Sequence, residues 1–302
     1  MNEIINDNTC ELIEKEEPAT ILSFDTLVLS GASSKCIIFL GSLQYLYDNN
    51  YLNDIENFTG TSAGAIISYL LAIGYTPIEI MVYICTNQLF EKIAHFNIVA
   101  MINGHGASSF SSIYEQLEKM TIEKIGYIPT FSDLKLKLKK NFICFTFNIT
   151  TNIEETLSFE NNPNMPCLIA IRMSSNLPLV FENYKYGNNF YVDGGVSNNF
   201  PLDYAEKIGK KIIGITFTSQ DTKFSSDNDI NILEFIYKLM FVPISQKTNM
   251  LINNASNKCK ILKLKGMKTT YFNFNFNSVE KLNMFSNGYQ ETKDIFEKKE
   301  SM

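Results

Sequence analysis

Three short apolar runs punctuate this chain: Asp25 to Ser30 (D-T-L-V-L-S), Asn141 to Thr150 (N-F-I-C-F-T-F-N-I-T) and Lys211 to Thr218 (K-I-I-G-I-T-F-T). Each contains consecutive apolar residues, Leu27 to Leu29, Phe142 to Phe145 and Ile212 to Ile213, which a strand with one wet face does not need. A strand that is apolar on both sides has to be covered on both sides, which is the condition of a parallel sheet packed between helices. Helical spacing fills the gaps between the runs. Ile37, Ile38, Leu40, Leu43, Leu46 and Tyr47 recur on one stripe that Asn49-Asn50 closes, and Ala65 to Ile73 is an apolar helix stopped at Gly74. Thr76-Pro77-Ile78-Glu79 reads as a capping box with proline at the first helical position, predicting a helix to about Lys92. Further helices are predicted over Ser109 to Lys124, Leu168 to Ser174 and Ile232 to Met240, with a strand at Lys260 to Leu264 and a closing helix after the Y-F-N-F-N-F-N run. Strands alternating with helices predict an α/β fold with a central, mainly parallel sheet.

Composition narrows the function classes. Residues 1–20 are charged and polar and read as a flexible leader, with 21–302 as one domain. The acidic start has neither the positive n-region nor the apolar h-region of a secretory signal, so an intracellular protein, cytoplasmic or peripheral to membranes, is expected. No apolar run approaches the ~20 residues of a transmembrane segment. A formal net charge of −6 argues against nucleic acid as a partner. The six cysteines are scattered without a C-x-x-C pair, which predicts reduced thiols rather than a disulfide framework or a zinc site; no cofactor is expected. The local basic stripe Leu134 to Lys140 is read as a solvated face.

One motif carries chemistry by its context. Ile55 to Thr59 leads as a strand into Gly60-Thr61-Ser62-Ala63-Gly64, which the apolar helix follows at once. That is the G-x-S-x-G nucleophile elbow, a strained strand-to-helix turn that thrusts a serine hydroxyl outward. A serine needs a base to act near neutral pH. The chain has two histidines, His95 and His105, and none after them, so the order serine, acid, histidine is not available. Asp193 is a second candidate, in F-Y-V-D-G-G-V, where a short apolar strand delivers a carboxylate to a glycine turn; taken alone, Asp-Gly also reads as an ordinary hairpin turn.

Four blocks in order, L-V-L-S-G-A-S-S-K, G-T-S-A-G, I-A-I-R-M-S-S-N-L-P-L-V-F and Y-V-D-G-G-V-S-N-N-F-P, resemble those of the patatin-like phospholipase family over roughly Leu27 to Pro201. The resemblance implies a three-layer α/β/α sandwich and a catalytic dyad of Ser62 and Asp193, the latter followed by the turn Gly194-Gly195. It implies hydrolysis of lipid acyl esters through a serine acyl-enzyme, without a metal, on a lipid substrate at a membrane or lipid surface. It also makes Gly31-Ala32-Ser33-Ser34-Lys35 the oxyanion loop. The family usually places a run of glycines there; here Gly31 and Lys35 match, while Ala32, Ser33 and Cys36 stand in place of glycine. The rival expectation is therefore a catalytically weak or inactive lipid-binding protein on the same fold.

Overall fold

The computed structural model describes residues 23–87, 90, 106–218, 232–266 and 274–300. In chain order the elements are β1 (Thr26–Leu29), α1 (Cys36–Asp48), β2 (Asn57–Gly60), α2 (Ala63–Ala72), α3 (Pro77–Thr86), α4 (Ser111–Ile125) and α5 (Phe131–Lys137). They continue with β3 (Asn141–Asn148), β4 (Ile153–Leu157), α6 (Cys167–Ser174), β5 (Tyr184–Tyr186), β6 (Asn189–Asp193) and α7 (Leu202–Ile208). The last are β7 (Ile212–Phe217), α8 (Ile232–Asn253), β8 (Cys259–Leu264) and α9 (Ser278–Glu300). The strands form one sheet in the order β5-β6-β3-β2-β1-β7-β8, with β4 also paired to β3.

From β3 through β2, β1 and β7 to β8 the pairs are parallel; β4, β5 and β6 add antiparallel pairs at one side. The apolar runs explain the layering. In β1, Leu27 and Leu29 join the large core, whereas Val28 joins a second cluster with Phe200, Leu202, Ala205 and Ile212. Successive side chains of a strand point to opposite faces, so both faces of the central strands are buried under helices. The result is the expected three-layer α/β/α sandwich around a mostly parallel sheet.

Register then brings the candidate residues to one edge. Leu29 of β1 is level with Gly60 of β2, and Gly60 with Cys144 of β3. Asp193 ends antiparallel β6 opposite Thr146, two residues beyond Cys144. The segments after Leu29 and Gly60 and the end of β6 thus meet at the C-terminal edge of the parallel strands, where ligands bind open α/β sheets.

Several elements differ from the sequence reading. The capping box at Thr76 forms with both of its bonds, but α3 ends at Thr86 rather than near Lys92. β3 stops at Asn148, whose side-chain oxygen accepts the amides of Thr150 and Thr151 and turns the chain into β4. β4 was not expected, since I-E-E-T-L carries two adjacent glutamates and only Leu157 is buried. Helix α8 runs on from Met240 to Asn253, through Pro243. The basic stripe mostly lies in α5, where Thr130 and Asp133 form a second capping box and Leu134 is fully buried. Its lysines are partly engaged: Lys137 pairs with Asp133 at 2.8 Å, and Lys140 donates to the Ile55 carbonyl at 2.6 Å. The leader 1–20 and both histidines lie outside the described residues.

Candidate active site

Ser62 sits between the last residue of β2 and the first turn of α2 with φ 57° and ψ −128°. A side-chain-bearing residue is uncommon in that region and costs of order 1–3 kcal/mol there, so the surrounding structure has to impose it. The flanking glycines show how. A Cβ on Gly60 would stand 2.5 Å from the Gly64 backbone, and one on Gly64 would stand 2.5 Å from the Ser30 carbonyl oxygen. The strand, the turn and the helix approach more closely than any side chain allows, and the chain reverses over one residue. Thr61 and Ala63 complete the turn, and the Thr61 hydroxyl donates to the Asn198 carbonyl at 2.9 Å. The Ser62 amide donates to Ser174 Oγ of α6 at 3.1 Å. Its hydroxyl stands at the N-terminus of α2, the positive end of the helix dipole.

Asp193 is 2% exposed. Its backbone N–H donates to the Asn176 carbonyl at 2.9 Å, and its Oδ1 accepts the Gly195 N–H at 2.7 Å. Gly194 and Gly195 do not close a two-residue hairpin; they open a short 3-10 turn, Gly194–Val196, and a Cβ on Gly194 would collide with the Phe145 carbonyl. The other carboxylate oxygen, Oδ2, is buried without a hydrogen-bond partner. Burial pushes the Asp193 pKa up from 3.8 to about 6, opposed by the nearby Ser62 hydroxyl and by the Gly195 amide.

The Gly31–Lys35 segment forms the facing wall. It is tighter than a plain loop, because Ser33–Lys35 make a 3-10 turn in which the Lys35 amide donates to the Ala32 carbonyl at 3.1 Å. Gly31 donates to the Asn199 carbonyl at 2.9 Å, and Asn199 Nδ2 reaches back to the Gly31 carbonyl at 3.5 Å. Of the residues standing where glycine is usual, Ala32 has φ −140°, open to any side chain, whereas Ser33 has φ 49°. The strain of the altered loop is therefore confined to Ser33.

Two cavities meet at Ser62. The first, about 150 Å³, is lined by Gly31 to Lys35, Ser62, Asp193, Gly195 and Asn199, and is closed by Phe241 and Ile244 of α8. The second, about 100 Å³, is almost wholly apolar and runs among α2, α3 and α4, with Ile66, Leu70, Ile84, Phe110 and Met120 in its walls. Ser33, Ser62 and Leu177 belong to both.

The sequence reading assigned no role to Ser174, Asn176, Asn198 or Asn199, although all four fall inside the quoted blocks. Their signal was position beside the blocks' serines and glycines; their partners, backbone atoms of Ser62, Tyr191 and Gly31 and the hydroxyl of Thr61 among them, lie far off in the chain and no sequence pattern displays them. Among the described residues no three His, Cys, Asp or Glu side chains gather as metal ligands, and none of the five described cysteines is joined in a disulfide. No single helix among them is long and apolar enough to cross a membrane.

A mostly parallel α/β sandwich with a strained serine on its first crossover edge and a buried carboxylate facing it defines a class of serine-elbow proteins. The chain belongs to the patatin-like phospholipase family, whose profile matches residues 27–206. It is 37% identical over 194 residues to the "Probable lipid hydrolase 463L" of Invertebrate iridescent virus 6, a match spanning 62% of this chain and 65% of that protein. The chain thus covers just under two thirds of that relative's length. It is 30% identical over 228 residues to the uncharacterized protein YqhO of Bacillus subtilis, covering 68% of this chain and 76% of YqhO. The crystal structure of VipD from Legionella pneumophila shares the fold, with TM-score 0.53 at 15% identity over 91% of this chain and 67% of VipD.

Proposed function

We propose that this protein is a serine lipid acyl hydrolase in which Ser62 is the nucleophile and Asp193 the base. The observation that carries this reading is the apolar cavity opening at Ser62, beside a second cavity that holds a buried carboxylate. An acyl chain fits the apolar cavity by its chemistry, and the alcohol half of an ester fits the cavity that holds Asp193. Family membership and the viral relative named as a probable lipid hydrolase support the same substrate class.

In the reaction, Ser62 Oγ attacks the ester carbonyl as Asp193 accepts the hydroxyl proton. A pKa of about 6 leaves Asp193 ionised at neutral pH and still close enough to it for reversible proton transfer. Charge on the tetrahedral oxygen is met by amides of the Gly31–Lys35 segment and by the α2 N-terminus. Collapse breaks the bond to the alcohol, which leaves with the proton from Asp193. Water then attacks the acyl-Ser62 ester, Asp193 takes its proton, and the fatty acid is released as Ser62 Oγ regains one. Every step uses groups of this chain, so turnover is expected to persist in excess chelator.

Fluorophosphonate labelling of the purified protein, read by intact mass, tests the assignment. Labelling that disappears in Ser62→Ala is expected. An unlabelled wild-type protein, under conditions that label a control hydrolase, would replace this reading with that of a lipid-binding protein.

A further inference from the structure

Arg172 is the one arginine among 26 basic residues. It is also among the most buried, at 5% exposure on α6, two residues before the Ser174 hydroxyl that accepts the Ser62 amide. One guanidinium nitrogen donates to Asn176 Oδ1 at 2.6 Å and another to Glu182 Oε1 at 3.0 Å. The planar group lies between two rings, 4.5 Å from the centre of Phe110 and 4.7 Å from that of Tyr184. An ammonium has neither the fork nor the flat faces for this arrangement, so a chain that otherwise uses lysine throughout keeps arginine here for its shape.

Both arms of the fork lead to functional surfaces. Asn176, held by the first, donates through Nδ2 to the Tyr191 carbonyl at 2.8 Å and accepts the Asp193 amide on its own carbonyl. Glu182, held by the second, accepts the Phe110 amide on Oε2 at 3.2 Å. Phe110, stacked on the guanidinium and edge-on to Phe181 at 5.1 Å, is part of the apolar cavity's wall, as is Phe181.

Building on the acyl-hydrolase reading, we propose that Arg172 is a positioning residue that sets acyl-chain selectivity. It fixes the Phe110–Phe181 wall of the acyl cavity in register with the segment that carries Asp193. Without the fork, Phe110 loses both its stacking partner and the anchored carboxylate on its amide. The deep part of the cavity then changes shape, while a substrate too short to reach it is affected much less.

The test compares kcat/KM for p-nitrophenyl acetate and p-nitrophenyl decanoate in wild type, Arg172→Lys and Glu182→Gln, with melting temperature as a check on folding. In Arg172→Lys the decanoate-to-acetate ratio is expected to fall about tenfold or more, a change of the size that altered contacts in an apolar pocket produce. Glu182→Gln removes the charge from a half-exposed side chain while keeping its shape. It is expected to move the ratio the same way by a smaller factor, and it serves as the readout if Arg172→Lys does not fold. A common reduction for both esters, with the ratio unchanged in either folded variant, would make Arg172 a structural residue and overturn the inference alone. A wild-type protein that hydrolyses neither ester would overturn the acyl-hydrolase reading and this inference with it.

Discussion

Two serines with left-handed backbone flank the same cavity, Ser62 at φ 57° and Ser33 at φ 49°, and they hold that conformation for different reasons. Around Ser62 the packing is so close that Gly60 and Gly64 leave no room for a Cβ, and the strain lifts the serine hydroxyl out of the turn. Around Ser33 the constraint is a single 3-10 turn tied down through Gly31 and Asn199. In the first case the proposed chemistry uses the strained residue's side chain. In the second, the proposed chemistry uses the backbone amides.

The largest expected effect separates the two serines by chemistry. Ser62→Ala and Asp193→Asn are each expected to lower turnover by about 10³-fold or more, since one member of a cooperating pair is nearly useless without the other. Folding monitored by circular dichroism is expected to be unchanged. Retained turnover in Asp193→Asn, with loss in a folded His105→Ala or His95→Ala variant, would move the base away from Asp193.

A second comparison uses pH. Only the ionised carboxylate accepts the serine proton, so kcat/KM is expected to fall about tenfold per pH unit below a midpoint near the Asp193 pKa of about 6. Ser33→Gly is expected to leave that midpoint in place. A midpoint near 4, the value of an ordinary exposed carboxylate, would contradict the burial of the base.

The same burial has a stability consequence of opposite sign to the usual carboxylate. Because the folded pKa is raised from 3.8 to about 6, the contribution of Asp193 to stability is full below about pH 4 and is lost as pH rises through about 6. Asp193→Asn is therefore expected to be more stable than wild type at pH 8, by at most about 3 kcal/mol, and to lose that advantage by pH 4. Urea denaturation at the two pH values measures it.

The smallest effects sharpen the contrast between the serines. Ser33→Gly is expected to relieve strain worth about 1 kcal/mol and to change kcat less than about threefold. Ala32→Gly, at an ordinary φ, is expected to cost about 0.5–1 kcal/mol through chain entropy. A hundredfold rise in kcat on restoring glycine at Ser33, about the worth of one oxyanion donor, would show that the natural loop misaims its amides.

The apolar runs at Asp25, Asn141 and Lys211 determined the central strands, because a segment without a polar face has one stable environment, the middle of a covered sheet. G-T-S-A-G and D-G-G were legible for a similar reason: a glycine demanded by close backbone approach is a local requirement, written where it acts. β4 escaped notice because Glu154 and Glu155 carry no apolar signal, and its pairing to β3 is supplied by the partner strand. Only the tertiary structure brought Asp193 to Ser62, through an antiparallel strand whose register to β3 no local pattern sets. It likewise confined the loop's strain to Ser33, paired Gly31 with Asn199, raised the Asp193 pKa by burial and opened the apolar cavity at the serine. Each of these depends on atoms far apart in the chain, and distance-dependent effects such as desolvation and cavity shape exist only once packing has made those atoms neighbours.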